Sequence, residues 1–357
     1  MQLFKSEKTL WLLVFIILML KLLLFIYLKL FIEGTIFGGG SDADYYHFYA
    51  LGSGGNGASN IWPDILRFLN EVGLYNRDIV SLILFVTSYT LLPYIYYKLV
   101  KLQDNRINPV KAGSVLLIIF YPSIFFFTLD VYREVFMFTI LLLSLLLYKK
   151  ILKVKWLRGN FYFLIFLSMA FFLFLLRPYL GFALGLTPFV YLIFSKTKKY
   201  IKSWIILYFA ALILAKVTGV LDPLLIYRAS DGFVGGGSTL GIELLNKDPV
   251  TFLVYYLYSF FGQMLGLFLV NIGALLVFFL ESVPFIVAFV YLYKNIRFMT
   301  RFSSFLLVFF IIYTTVWVLA NDNLGTALRL RIPSYLVIFA CMFIVYQVKT
   351  KLMKIGK

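Results

Sequence analysis

Histidine and cysteine are almost missing from this chain: His47 and Cys341 are each the only residue of their kind. A single cysteine closes no internal disulfide, and one histidine with one cysteine excludes Cys/His zinc sites. It also leaves no basis for an iron–sulfur cluster or a Cys–His pair of the usual kind. Charge is scarce as well. Only 14% of the 357 residues are charged, against about 25% in soluble domains. What fills the gap is apolar: 62% hydrophobic residues, 20% aromatic and a mean hydropathy of +0.93. These values exclude a soluble globule, a disordered chain and a fibrous repeat, and no repeat of fixed period is visible. The composition is that of an all-α, polytopic membrane protein forming one integral-membrane domain over residues 1–357.

The net charge of +17 resembles that of a nucleic-acid binder, but its distribution says otherwise, and no nucleic-acid partner is expected. Most Lys and Arg fall into six clusters, at Lys5–Lys8, Lys98–Lys111, Lys149–Arg158, Lys196–Lys202, Lys294–Arg301 and Lys349–Lys357. Short basic loops stay cytoplasmic. With all six inside, each stretch between them leaves the cytoplasm and returns. Five hairpins follow, hence about ten transmembrane helices with both termini cytoplasmic. Asn160–Ser195 tests this reading: its roughly 36 residues would reach about 54 Å as one helix, far beyond the hydrocarbon core of about 30 Å. Arg177-Pro178 sits at its midpoint, where an outer turn is needed. Similar turns are predicted at Asp130–Glu134 and Asn321–Pro333. Thr251–Tyr293 reads as one span preceded by an interfacial or re-entrant helix. The apolar run Leu10–Ile32 is too long for a typical signal core and reads as an uncleaved first helix.

Two outer loops exceed turns, about residues 33–78 and 219–250. Both carry glycine triplets (Gly38-Gly39-Gly40 and Gly235-Gly236-Gly237) that permit positive φ or close approach to a ligand. Cations left over from the six clusters, among them Arg67, Arg77, Arg133, Arg177, Arg228, Arg329 and Arg331, fall at outer helix ends together with most carboxylates. Ion pairing among solvated loops would contribute little. A periplasm-facing cavity for an anionic lipid headgroup such as a polyprenyl phosphate explains the pattern better, because several of these cations sit in short turns.

The first loop contains Ser41-Asp42-Ala43-Asp44-Tyr45-Tyr46-His47-Phe48-Tyr49-Ala50. At helical spacing Asp42, Tyr46 and either Tyr49 or Ala50 share one face. A carboxylate beside a held hydroxyl is what activation of a sugar hydroxyl requires, and tyrosine rings suit sugar faces and membrane interfaces alike. Asp42 or Asp44 can equally be the N-cap of an interfacial helix. His47, five residues from Asp42, is a candidate substrate contact.

An Asp in the first extracytoplasmic loop, a Tyr four residues on and a small residue eight on (Asp42, Tyr46, Ala50) resembles the GT-C glycosyltransferases, multi-span enzymes that use polyprenyl-linked sugars. Tyr121-Pro122-Ser123 leading to Asp130-Val131-Tyr132-Arg133-Glu134 is similar to their second-loop acidic element. Leu328-Arg329-Leu330-Arg331-Ile332-Pro333 looks like the R-x-R-x-P ending of many bacterial members. Two departures stand out. The chain ends soon after its tenth helix, where other members add a large periplasmic domain, and Ala43 separates two acids that are often adjacent.

The resemblance implies a membrane glycosyltransferase of hexosyltransferase type, acting in cell-surface polysaccharide or lipopolysaccharide assembly on the periplasmic face of the bacterial inner membrane. It would move a sugar from a polyprenyl-phosphate-linked donor to a glycan or lipid acceptor. Asp42 or Asp44 would be the base, and that choice stays open. Arg329, Arg331 and Arg177 are the candidate donor-phosphate ligands, since arginine binds oxyanions bidentately. On an extended segment Arg329 and Arg331 could reach one ligand. Tyr46, His47, Tyr49, Asp130, Arg133, Glu134 and Tyr179 complete the candidate substrate contacts. No cofactor and no metal ligand set is indicated, although a divalent cation is compatible with the chemistry. One alternative is an O-antigen or capsule polymerase acting on polyprenyl-pyrophosphate oligosaccharides; a second is a lipid-linked glycan flippase or transporter. Lys21, near the middle of the first span, has Glu281 as its expected intramembrane partner.

Overall fold

The computed structural model describes residues 7–31, 41–53, 57–102, 108–154, 156–197, 201–229, 239–267 and 271–355. Both glycine triplets, and the ends of both outer loops nearest them, lie outside these residues. Among those described, the chain is helical apart from turns and one isolated bridge between Thr239 and Asn323. The helices, in order, are α1 (Glu7–Phe31), α2 (Ser41–Ala50), α3 (Ile61–Glu71), α4 (Arg77–Val100), α5 (Asn108–Phe120), α6 (Pro122–Phe126), α7 (Glu134–Ile151) and α8 (Trp156–Leu176). They continue with α9 (Pro178–Thr197), α10 (Ile201–Val217), α11 (Asp222–Arg228), α12 (Pro249–Leu265), α13 (Ile272–Lys294), α14 (Arg301–Ala320) and α15 (Leu324–Ile355).

Among the described residues, seven of these are long and apolar enough to cross a membrane, and α10 with α11, bent by 78°, would make an eighth. The protein is therefore a multi-pass, all-α membrane protein. The remaining predicted spans fall on α5, which has 13 residues, and on α7, whose ends carry Glu134, Lys149 and Lys150.

The chain forms two compact units, residues 1–182 with 343–357, and residues 183–342. In the first, α1 packs on α4 and α5 through Val14, Phe25, Phe85, Tyr89 and Ile119. Lys21, whose expected partner was Glu281, makes contacts within this unit. Its ammonium donates to the Tyr121 carbonyl at 3.1 Å and lies over the Tyr89 and Phe125 rings. Pro122 explains the arrangement: it disfavours helical backbone at the preceding Tyr121 (ψ 114°), whose carbonyl then turns out of the ladder of α5 to where a mid-helix cation can reach it.

Charges in this unit sort to opposite helix ends, as the cluster pattern suggested. At one end Lys149 donates to the carbonyls of Lys98, Leu99 and Lys101, capping the C-terminus of α4, and Gln347 donates to Val100. At the other, Lys29 pairs with Asp78 and Arg77 with Asp130.

The predicted turn at Arg177-Pro178 is present: only Arg177 is non-helical between α8 and α9. The chain doubles back so sharply that a Cβ on Gly181 would overlap the backbone of Phe174 and the Ala170 carbonyl. Gly181→Ala should therefore strip folded protein from a detergent preparation. Backbone cannot rotate aside as a side chain does, and overpacking costs about 1–3 kcal/mol even where some relief exists. Gly159→Ala, which meets nothing within 4 Å, is the control. Equal monodispersity and melting temperature for the two variants would refute the tight turn.

In the second unit α14 is buried along most of its length, through Phe305, Phe309, Tyr313 and Trp317. Helix α12 starts at Asp248, whose carboxylate caps the Val250 and Thr251 amides, and stops at Gly266 in the left-handed conformation, φ 62°. Tyr335 stacks on Phe285 with ring centroids 4.1 Å apart, and its hydroxyl bonds to Met264 and Ser282.

Candidate functional site

The Ser41–Ala50 motif is a helix, as its spacing predicted, and both of its acids lie in the first turn, where they face the positive end of the helix dipole. Being two residues apart, Asp42 and Asp44 point to different sides, and each side has its own partners.

On one side Asp44 accepts from Arg77 Nη2 at 2.7 Å. The same guanidinium makes a two-pronged contact with Asp130, at 2.8 Å through Nε and 2.6 Å through Nη2. Asp44 and Asp130 are thus ligands of one arginine, and neither is placed as a base would be. Nearby, His47 Nδ1 shares a 2.9 Å hydrogen bond with the Tyr75 hydroxyl. Burial pushes the imidazole pKa down, with Arg77 adding to the effect, so the ring is neutral at pH 7. Burial likewise drives the Tyr75 phenol up to about 12.

The other side carries Asp42 and Tyr46, one helical turn apart. Tyr46 is buried. Its pKa is raised by burial, and the charges of Arg133, Glu134, Asp42 and Arg177 all act on it. Glu134 and Arg177 are both buried and face one another at 3.7 Å, while Arg133 donates to the Leu176 carbonyl at 2.8 Å, capping the end of α8. Three separate turns therefore deliver one acid–tyrosine pair, one glutamate and two arginines to one place. Tyr179 lies two residues beyond Arg177, in the first turn of α9. Tyr49 faces away and donates to Asp64 at 3.0 Å, which raises its pKa.

Segment 128–134, which supplies Arg133 and Glu134, has no regular ladder of its own before α7. Side chains hold it instead. Ser81 donates to the Thr128 carbonyl at 2.8 Å, Arg77 holds Asp130, and the Trp62 indole donates to the Val131 carbonyl at 2.8 Å.

Arg329 and Arg331 are not on an extended segment. Helix α15 begins at Leu324 and includes Pro333, so residues two apart diverge by about 200° and cannot converge on one ligand. Arg331 is 2% exposed and its Nη2 lies 3.5 Å from Glu281 Oε2. Arg329 is half-buried on another face. The helix persists because proline at position 333 removes one bond, to residue 329, while residues 330–341 are almost all buried and held by packing.

Two further groups were not singled out from sequence. Arg77 is one; a cation at the first position of a helix opposes the dipole, and that mismatch was the available signal for an acidic partner. The other is Arg228, bonded to Asp322 and to the carbonyls of Ile242, Val318 and Asn321. The pair sits in the wall of a cavity of about 530 Å³, whose other lining is largely leucine, isoleucine and alanine. No local sequence pattern joins residues so far apart. No protein-family model, curated protein or solved structure matches the chain.

Proposed function

We propose that the protein is a GT-C-like glycosyltransferase of about ten spans in a bacterial inner membrane, with both termini cytoplasmic and the Asp42 site facing the periplasm. The observation that carries this reading is that Asp42, Arg133, Glu134 and Arg177 all act on Tyr46, brought there by three turns at one end of the first unit. In this reading a polyprenyl-phosphate-linked sugar places its phosphate against Arg177 and Arg133. Asp42, half-exposed and one turn from Tyr46, takes the proton of an acceptor hydroxyl as its oxygen bonds to the anomeric carbon. The carbon–oxygen bond to phosphate breaks, and the arginines hold the departing dianion. Tyr46 fixes the face of helix α2 on which the acid stands. Arg331, paired with Glu281, serves the helix core, and the phosphate role passes to the arginines of the second and third outer turns.

The test is product identity. Purified protein in detergent, given the lipid-linked sugar fraction of the cells that produce it, should release free polyprenyl phosphate, detected by mass spectrometry. Release of polyprenyl pyrophosphate with chain growth would assign a polymerase instead. Neither product, with lipid transport in reconstituted vesicles, would overturn the transferase reading in favour of a flippase.

A further inference from the structure

Arg77 lies outside the acid–tyrosine–arginine cluster, yet its side chain joins two pieces of chain that the cluster depends on. Its Nη2 reaches Asp44 of helix α2 at 2.7 Å, and its Nε and Nη2 grip Asp130 at 2.8 and 2.6 Å. Asp44 is two residues from Asp42, on the opposite side of the same short helix, and Asp130 is three residues from Arg133. Helix α2 has ten residues, too few to hold its position by its own propensity. Helix α3 holds one side of it, through Tyr49 on Asp64; the Arg77 tie to the 128–134 segment is what relates Asp42 to Arg133.

We infer that Arg77 is a positioning residue: through Asp44 it sets where Asp42 stands relative to Arg133 and Arg177. The reason is geometric. The guanidinium is planar and forked, so one group satisfies a bidentate carboxylate and a second acid at fixed angles. The arginine is itself anchored, because Asn76 caps α4 through the Asp78 and Ile79 amides at 2.9 and 3.0 Å. Arg133 has independent support from the Leu176 carbonyl, and Glu134 from Arg177. Loosening Arg77 thus frees the acid, while the 128–134 segment keeps Ser81, Trp62 and these supports. Tyr75 precedes Asn76, and its bond to His47 ties α2 to the start of α4 separately, which keeps α2 attached when the Arg77 contacts are cut.

This inference rests on the transferase reading for its catalytic consequence, and the test separates the two. Arg77→Lys keeps the charge and loses the fork; Asp44→Asn keeps the size and loses the charge. In both, release of polyprenyl phosphate should fall at least tenfold while binding of undecaprenyl phosphate in detergent stays within twofold of wild type. A merely structural role would weaken both together, and parallel losses overturn the inference. Arg77→Met, with neither charge nor fork, should be worse than Arg77→Lys. A substrate-free readout stands beside these. Amide exchange across Asp42–Ala50 should rise at least tenfold in Arg77→Lys, with exchange across Glu134–Ile151 unchanged. Unaltered exchange in helix α2 overturns the clamp, whatever becomes of the transferase reading. Inactive wild-type protein with the exchange effect intact overturns the transferase reading alone.

Discussion

Replacing Asp42 by Asn should lower turnover by roughly 10²-fold or more, the usual contribution of a positioned general base, with folding intact. The substitution keeps the shape of the side chain and removes its ability to accept a proton. Arg77 keeps Asp44 and Asp130 in this variant, so helix α2 should stay seated and the melting temperature should change little. Asp44→Asn acts differently, since it removes a ligand of Arg77 and disturbs the position of its neighbour. The two variants separate in exchange measurements: Asp44→Asn loosens helix α2, and Asp42→Asn does not. Measurement of polyprenyl phosphate release in the two single variants and the double variant checks this. Near-normal turnover in Asp42→Asn would remove the acid from the mechanism, and near-normal turnover in both would remove the loop.

The second large effect is on stability and concerns Glu281 and Arg331. Both are essentially sealed from solvent, at 0% and 2% exposure, and the glutamate lies in the π-helical turn Phe278–Ser282 of α13. Glu281→Leu should destabilise the protein by about 3–5 kcal/mol, because it leaves a guanidinium buried without its counter-ion. Removing both charges together, as Glu281→Leu with Arg331→Leu, should recover most of the loss, since replacing a buried ion pair by apolar side chains is often neutral. Thermal unfolding in detergent gives the comparison. Donor-lipid binding in the double variant then decides the role of Arg331. Wild-type affinity for undecaprenyl phosphate confines it to the helix core. Restored stability with lost affinity would return it to the donor site.

The sequence by itself determined the class of this protein and several of the turns in its first unit. Apolar runs of spanning length can only be helices where no water satisfies the backbone, and basic clusters separated by such runs dictate where the chain turns. Arg177-Pro178, the irregular stretch before Glu134 and the helix Ser41–Ala50 follow from these local rules, and the structure contains each of them. The face shared by Asp42 and Tyr46 was legible for the same reason: helical periodicity is local.

Tertiary structure alone decided what the charges meet. Lys21 found the carbonyl that Pro122 exposed, and Glu281 found Arg331, because an intramembrane charge takes whichever partner the packing of distant helices brings within reach. Arg77 divided the two first-loop acids, binding Asp44 and leaving Asp42 to face Tyr46, a distinction that two residues of spacing could not foretell. Arg329 and Arg331, just before Pro333, were read as able to reach one ligand if their segment were extended. Hydrogen bonding over a long apolar helix outweighed that one residue, and the helical twist then set the two arginines on different faces. Turns and periodicity are encoded within a few neighbouring residues, whereas the pairing of buried charges depends on contacts between segments dozens of positions apart.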